Sequence, residues 1–146
     1  MSNINIRPLT QCKKDYLAYT HLVSLLASQY RPYSYEIYTE MIKELDTRSL
    51  IYLLEIDNEI VGTIKIIIEK KFYNEKCYVG HIEDVIVDTT YRGQGYGKLL
   101  VDFADKICKE NHCYKVLLYC SDHNVKFYEK CGYVIDGSNL CKRLNH

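Results

Sequence analysis

The residues able to do chemistry crowd into one stretch, Gly80–Lys98, which reads GHIEDVIVDTTYRGQGYGK. An alternating apolar segment carries His81 and the adjacent carboxylates Glu83 and Asp84. A turn with three glycines follows, Arg92-Gly93-Gln94-Gly95-Tyr96-Gly97-Lys98, and it opens an amphipathic run. Adjacent carboxylates can take up a proton or hold a basic group. Glycines let backbone amides approach a ligand closely, and a helix start adds unpaired N–H groups with partial positive charge. A pyrophosphate flanked by two cations suits such a turn. The spacing is neither G-x-G-x-x-G, because the third glycine comes one residue early, nor the G-K-[ST] ending of a P-loop. A tight connection that binds nothing fits the same glycines. His81, Glu83 and Asp84 also invite a metal, but period 2 puts only His81 and Glu83 on one face and no second cluster completes a site, so no metal is expected.

The surrounding pattern predicts the elements that position this stretch. Asn3–Leu9 alternates as a short first strand that Pro8 ends or leaves at an edge. Cys12 to Gln29 reads as a helix with Leu17, His21 or Leu22, and Leu25 or Leu26 in one stripe. Ser34 can start a second, with Tyr38, Met41, Ile42 and Leu45 on a common face. Leu50–Ile56 and Ile60–Ile68 form a hairpin around Asp57-Asn58-Glu59. Lys70–Lys76 is a charged connection, and Cys77–Val87 returns antiparallel. After the glycine turn, Leu99, Phe103 and Ile107 stack at i, i+4, as do Leu100, Ala104 and Cys108. Tyr114–Cys120 is a nearly apolar strand. It follows a strand-helix unit, which predicts a right-handed parallel crossover from Val87. Asn124–Cys131 reads as a short helix closed by Gly132. Tyr133–Ile135 and Leu140–Arg143 read as a last pair of strands. The fold class is α/β, a mixed central sheet with antiparallel N-terminal strands and a parallel crossover after the glycine turn, flanked by helices.

Composition narrows the partners. A chain of 146 residues suits one domain, 1–146. With 19 basic and 19 acidic residues, no broad positive field exists for nucleic acid or an anionic membrane, so an anion must be bound locally. Neither a secretory signal nor an apolar run of membrane length is evident, and a cytoplasmic protein is expected. The seven cysteines are odd in number and lack a C-x-x-C pair, which fits free thiols, several of them buried.

The turn from Arg92 to Gly97, the helix after it, and Asn124-Val125-Lys126-Phe127-Tyr128-Glu129-Lys130-Cys131-Gly132-Tyr133 together resemble the GNAT acetyltransferase superfamily. Within it, Gly80-His81-Ile82-Glu83-Asp84-Val85, Cys113-Tyr114-Lys115 and Phe127–Tyr133 are similar to glucosamine 6-phosphate N-acetyltransferases. The resemblance is firm from about residue 60 to 143. It implies acetyl-CoA as co-substrate and acetylation of the 2-amino group of glucosamine 6-phosphate, a step toward UDP-N-acetylglucosamine. Val85, Ile86 and Val87 would pair their backbone with the pantetheine. The amides of Gly93, Gln94, Gly95, Tyr96, Gly97 and Lys98, with Arg92, would hold the pyrophosphate. Asn124, Tyr128 and Lys130 would lie by the thiol end and the pantetheine or phosphate groups. Glu83, Asp84, Tyr114, Lys115 and the connection Lys71, Phe72, Tyr73 and Asn74 would contact the sugar or its phosphate, joined by Ser28, Tyr119 and Arg143. The resemblance also implies a homodimer, with Arg143 acting across it.

The chemistry fits these residue types. Acyl transfer needs a free amine, donors for an oxyanion and a proton for the leaving thiolate. A phenol such as Tyr128, with a pKa of about 10, stays protonated near neutrality and lies close to a thiol of about 8.5. Glu83 is the expected base, and backbone N–H groups around Val85–Val87 are the expected oxyanion donors. Plainer readings stand beside these: a solvated strand end for Glu83 and Asp84, a snorkelling Lys115, and a surface charge at Arg143. One position departs from the sugar acetyltransferases, which usually carry Asp where this chain has Tyr119. A GNAT acting on a protein or polyamine amine, and a silent acyl-CoA-binding module, therefore remain alternatives.

Overall fold

The computed structural model describes residues 1–144. One sheet holds five strands whose spatial order is their chain order: β1 Ile4–Pro8, β2 Ser49–Ile56, β3 Glu59–Lys71, β4 Cys77–Val87 and β5 Cys113–Leu118. The first four pair antiparallel, and β5 runs parallel to β4. Asp57 and Asn58 take positive φ of 50° and 68° between β2 and β3. That mirror-image turn matches the twist of the strands it joins, and short polar residues tolerate it.

Four helices flank the sheet: α1 Lys13–Leu26, α2 Tyr35–Glu44, α3 Tyr96–Glu110 and α4 Val125–Lys130. Ser34 caps α2 by accepting a hydrogen bond from the Ile37 amide at 3.2 Å. The core lies between β2, β3, β4 and α3. There Leu54, Ile64, Ile66 and Ile82 meet Leu100, Val101, Ala104 and Cys108, all essentially without solvent contact. Of the two α3 rows expected from the sequence, Leu100, Ala104 and Cys108 is the buried one. Leu99, Phe103 and Ile107 pack at its margin. All seven cysteines are free thiols, with Cys77 and Cys108 buried. No helix among the described residues is long and apolar enough to cross a membrane.

Two expectations fail. Of the expected α1 stripe only Leu22 is buried; Leu17, His21, Leu25 and Leu26 are exposed, and the helix buries Asp15 beside Leu22. The reason is a polar hub. Arg7 on β1 donates to both Asp15 oxygens at 2.7 and 2.9 Å, Thr10 adds its amide and hydroxyl, and Arg7 also reaches Glu55 at 2.8 Å. A fully buried carboxylate must have its lone pairs filled, so this hub sets the rotation of α1. Burial alone would raise the Asp15 carboxyl, but the Arg7 and Thr10 hydrogen bonds outweigh it and hold it well below the usual carboxylate range.

The second failure is at the C-terminus. Tyr133–Ile135 and Leu140–Arg143 form no strands. Val134, Ile135 and Leu140 are 74–96 % exposed, and a cleft of about 960 Å³ separates their segment from β5. Two short apolar segments with nothing to cover them have no face on which to bury themselves.

Candidate active site

The stretch Gly80–Lys98 is shaped by an irregularity in β4. Its register against β3 runs Lys65↔Glu83 and then Thr63↔Ile86, so Asp84 and Val85 face the single residue Ile64. This is a β-bulge, and Asp84 sits in it at φ 52°, a left-handed conformation that is uncommon outside glycine. The bulge exposes Glu83 and Asp84 side by side where plain alternation would turn one of them inward.

Pairing between β4 and β5 ends at Ile82↔Leu118. From Glu83 to Val87 the β4 edge that faces β5 is therefore unpaired, and its N–H and C=O groups are free to pair with an amide-bearing chain. Ile86 turns its side chain into the core, 3 % exposed, while Val85 and Val87 face a cavity of about 400 Å³. The glycine turn, Asn124, Phe127 and Tyr128 complete that cavity.

The turn itself is built for anions. Gly93 and Gly95 adopt φ of 78° and 86°, which a side chain would oppose. Leu99 is the first residue to donate within α3, to the Gly95 carbonyl at 3.1 Å, so the amides of Tyr96, Gly97 and Lys98 point out of the helix start. Arg92 donates through Nε to the Val87 carbonyl at 3.0 Å. Lys98 pairs with Asp102 at 2.7 Å, so the amides, more than this ammonium, present positive charge to a ligand. Before the turn, Asp88 caps a 3-10 turn by accepting from the Thr90 amide at 3.2 Å, and His21 of α1 approaches it at 2.9 Å. Neither this support nor the lining residue Tyr91 was among the residues expected at the site. The Asp-Thr-Thr string at Asp88 was the available signal, whereas nothing marked His21.

Tyr128 is held from two sides. Its ring lies 4.9 Å from Phe127 and 6.1 Å from Tyr133, and Tyr133 donates to Asp105 on α3. A Cβ on Gly97 would come within 3.1 Å of the Phe127 ring, so a larger residue there requires that ring to shift. Burial first, with Cys120 and Cys131 adding to it, pushes the Tyr128 phenol up to about 12. Its acidity is thus further from that of a thiol than the sequence suggests. Asn124 lines the cavity, while Lys130 at the end of α4 and Gln94 do not.

The residues expected at a sugar site fall into two groups. Glu83 and Asp84 stand beside the cavity. Lys71 pairs with Cys77, six residues or about 20 Å down β4 from Glu83, and exposed Phe72, Tyr73 and Asn74 continue beyond it. Lys115 pairs with Val79, about 13 Å from Glu83, with Tyr114 one residue further. Within one chain these residues do not converge on a single small acceptor. Tyr119 lines the cleft beside β5, while Ser28 past the end of α1 and Arg143 in the C-terminal segment are exposed and apart from both cavities.

Comparison with known proteins agrees with this architecture. A sequence model of the acetyltransferase (GNAT) family matches residues 16–133. Glucosamine 6-phosphate N-acetyltransferase of Candida albicans is 39 % identical over 115 residues, covering 76 % of this chain and 77 % of that protein. The enzyme of the same name from Arabidopsis thaliana is 49 % identical over 78 residues, a match spanning 53 % of this chain and about half, 52 %, of that relative. The crystal structure of an Arabidopsis thaliana glucosamine-6-phosphate N-acetyltransferase superposes with a TM-score of 0.84 at 32 % identity, covering 98 % of this chain and 99 % of that one. With a bulged β4, an unpaired edge, a glycine turn opening α3 and a family match over most of its length, the chain belongs to the GNAT acetyltransferases.

Proposed function

We propose that one domain, 1–146, transfers the acetyl group of acetyl-CoA to the 2-amino group of glucosamine 6-phosphate. The observation that carries this reading is the free β4 edge from Glu83 to Val87, which runs from two exposed carboxylates to the amides of the α3 start. A pantetheine amide suits that edge, and a pyrophosphate suits the outward N–H groups of Tyr96, Gly97 and Lys98 with Arg92 beside them. The names of the relatives support the acceptor.

Glu83 takes a proton from the sugar ammonium, and the free amine attacks the thioester carbonyl. Backbone N–H groups at the bulge face the developing oxyanion. Tyr128 gives its proton to the sulfur as the C–S bond breaks. At about 12 the phenol holds that proton at any physiological pH and parts with it only as thiolate charge develops. Asn124 positions the thiol end, and Lys130 offers a cation near the cofactor's outer part.

The separation of the two acceptor groups supports a homodimer. A second chain that brings its Lys71–Asn74 hairpin tip, Tyr114, Lys115 and Arg143 to Glu83 and Asp84 supplies the phosphate contacts that one chain leaves about 13–20 Å away. The open β5 edge and exposed Val134, Ile135 and Leu140 offer the surface for it. Seven free thiols suit a cytoplasmic setting.

Release of CoA thiol, measured with glucosamine 6-phosphate, unphosphorylated glucosamine and a lysine peptide, tests the acceptor. The phosphosugar is expected to turn over fastest, and equal or greater turnover of the peptide would sink the sugar reading. Tyr119, where sugar acetyltransferases usually carry Asp, favours one second reading: another primary amine as acceptor, which the same panel reveals. Acetyl-CoA binding without turnover of any amine would instead mark a silent module.

A further inference from the structure

His81 lies on the same face of β4 as Glu83 and has no part in the steps above. Directly opposed residues share a face, so that face also carries Lys65 across from Glu83, Ile67 across from His81, and Glu69 and Lys71 further along β3. Leu117 and Lys115 of β5 border it. His81 Nε2 stands 2.9 Å from Glu69 Oε1, and Lys71 Nζ holds the other Glu69 oxygen at 3.1 Å. A carboxylate only accepts, so Nε2 carries the hydrogen and Nδ1 keeps an open lone pair. His81 is 29 % exposed, so the dyad also touches solvent.

The proposed reaction releases a proton that needs such a route. An N–C bond forms and the C–S bond breaks. The ammonium loses two protons, of which one ends on the CoA thiol through Tyr128 and one must leave the protein. We propose that His81 and Glu69 form the exit relay for that second proton, carrying it from Glu83 to solvent. The proton taken by Glu83 passes through a bridging water to His81 Nδ1, since residues two apart on one strand face are within reach of one water. Glu69, oriented by Lys71, offsets the imidazolium charge while it lasts. The imidazolium then sheds its proton to solvent, which returns Glu83 to its basic form. Lys65, Lys71 and Lys115 are the other charged groups on this face. His81 and Glu69 therefore act through Glu83 and contact neither substrate.

This relay rests on the acetyl-transfer reading, so its test uses whichever amine of the panel the wild type acetylates. The kcat–pH profile is measured for wild type, His81→Gln and Glu69→Gln. His81→Gln is expected to lose about 10–100-fold near pH 6.5, where the acceptor is an ammonium, and to approach wild type above about pH 9, where the amine is already free. Added imidazole should restore the acid-limb rate, with acetyl-CoA affinity and Tm unchanged. A deficit of the same size at every pH, or none, overturns the relay. Should His81→Gln fail to fold, Glu69→Gln on its exposed carboxylate decides alone: an acid-limb loss supports the relay, and a wild-type profile overturns it. A wrong acceptor overturns the proposed function and leaves the relay standing.

Discussion

The proposed donor end and the proposed acceptor end of the molecule are built differently. At the donor end, Val85, Val87, the glycine turn, Asn124 and Tyr128 converge on one cavity, and each is braced by a neighbour in the same chain. At the acceptor end, Glu83 and Asp84 stand on a bulge while Lys71, Tyr114 and Lys115 lie well down the sheet and Arg143 sits on an uncovered segment. A cofactor shared by a whole family can be read by backbone geometry, which one chain completes locally. A particular small acceptor needs side chains from several places, and here those places do not meet in one chain.

Five measurements would break or sharpen that contrast. Tyr128→Phe should lower kcat by at least about tenfold, and general acids commonly give 10²–10⁴, while acetyl-CoA affinity stays near wild type. An unchanged kcat removes Tyr128 from the chemistry. Gly95→Ala forces a side chain into φ 86°, a cost of about 1–2 kcal/mol, so acetyl-CoA affinity should fall about tenfold with the acceptor KM unaltered. A matching rise in acceptor KM would erase the division between the two ends.

Lys71→Ala should raise the phosphosugar KM about 10–100-fold, on the order of one lost charge-assisted hydrogen bond, and spare acetyl-CoA binding. With phosphosugar held well below the Lys71→Ala KM, mixing Lys71→Ala chains with Tyr128→Phe chains should then regain about a quarter of wild-type turnover, because half the random dimers contain one intact composite site out of two. No regain would show each chain working alone.

Asp15→Asn tests the scaffold and should affect turnover of the folded enzyme least. It leaves Arg7 without its buried partner, a loss of about 3 kcal/mol that urea unfolding at pH 7 would read. The folded Asp15 carboxyl lies below its unfolded value, so its stabilisation is present above about pH 3.9 and is lost as pH falls through the folded value. The gap between wild type and Asp15→Asn should therefore narrow in strong acid. A gap that holds steady with pH would mean that the hub is not an ion pair.

Much of the fold was legible because periodicity reports burial directly. Leu100, Ala104 and Cys108 on α3 and the apolar run of β4 read as they fold. The α1 stripe misled because Asp15, polar in sequence, is buried by partners on β1 and in the loop after it, and no local pattern announces a long-range hydrogen-bond hub. The final strands misled for the opposite reason. Val134, Ile135 and Leu140 are apolar enough for strands, but the chain offers them no cover.

By itself the sequence determined the chemistry available: a glycine turn at a helix start, a carboxylate pair, and Tyr128 in a motif that resembles one family. Those are local features, set by backbone freedom and residue type. Only the tertiary structure decided how they are arranged. The bulge that exposes Glu83 and Asp84 together, the parting of β4 from β5 after Ile82, and the distance of Lys71 and Lys115 from the carboxylates all depend on strand register. Register is a property of pairs of strands, fixed when the two faces pack, and no single stretch of chain encodes it.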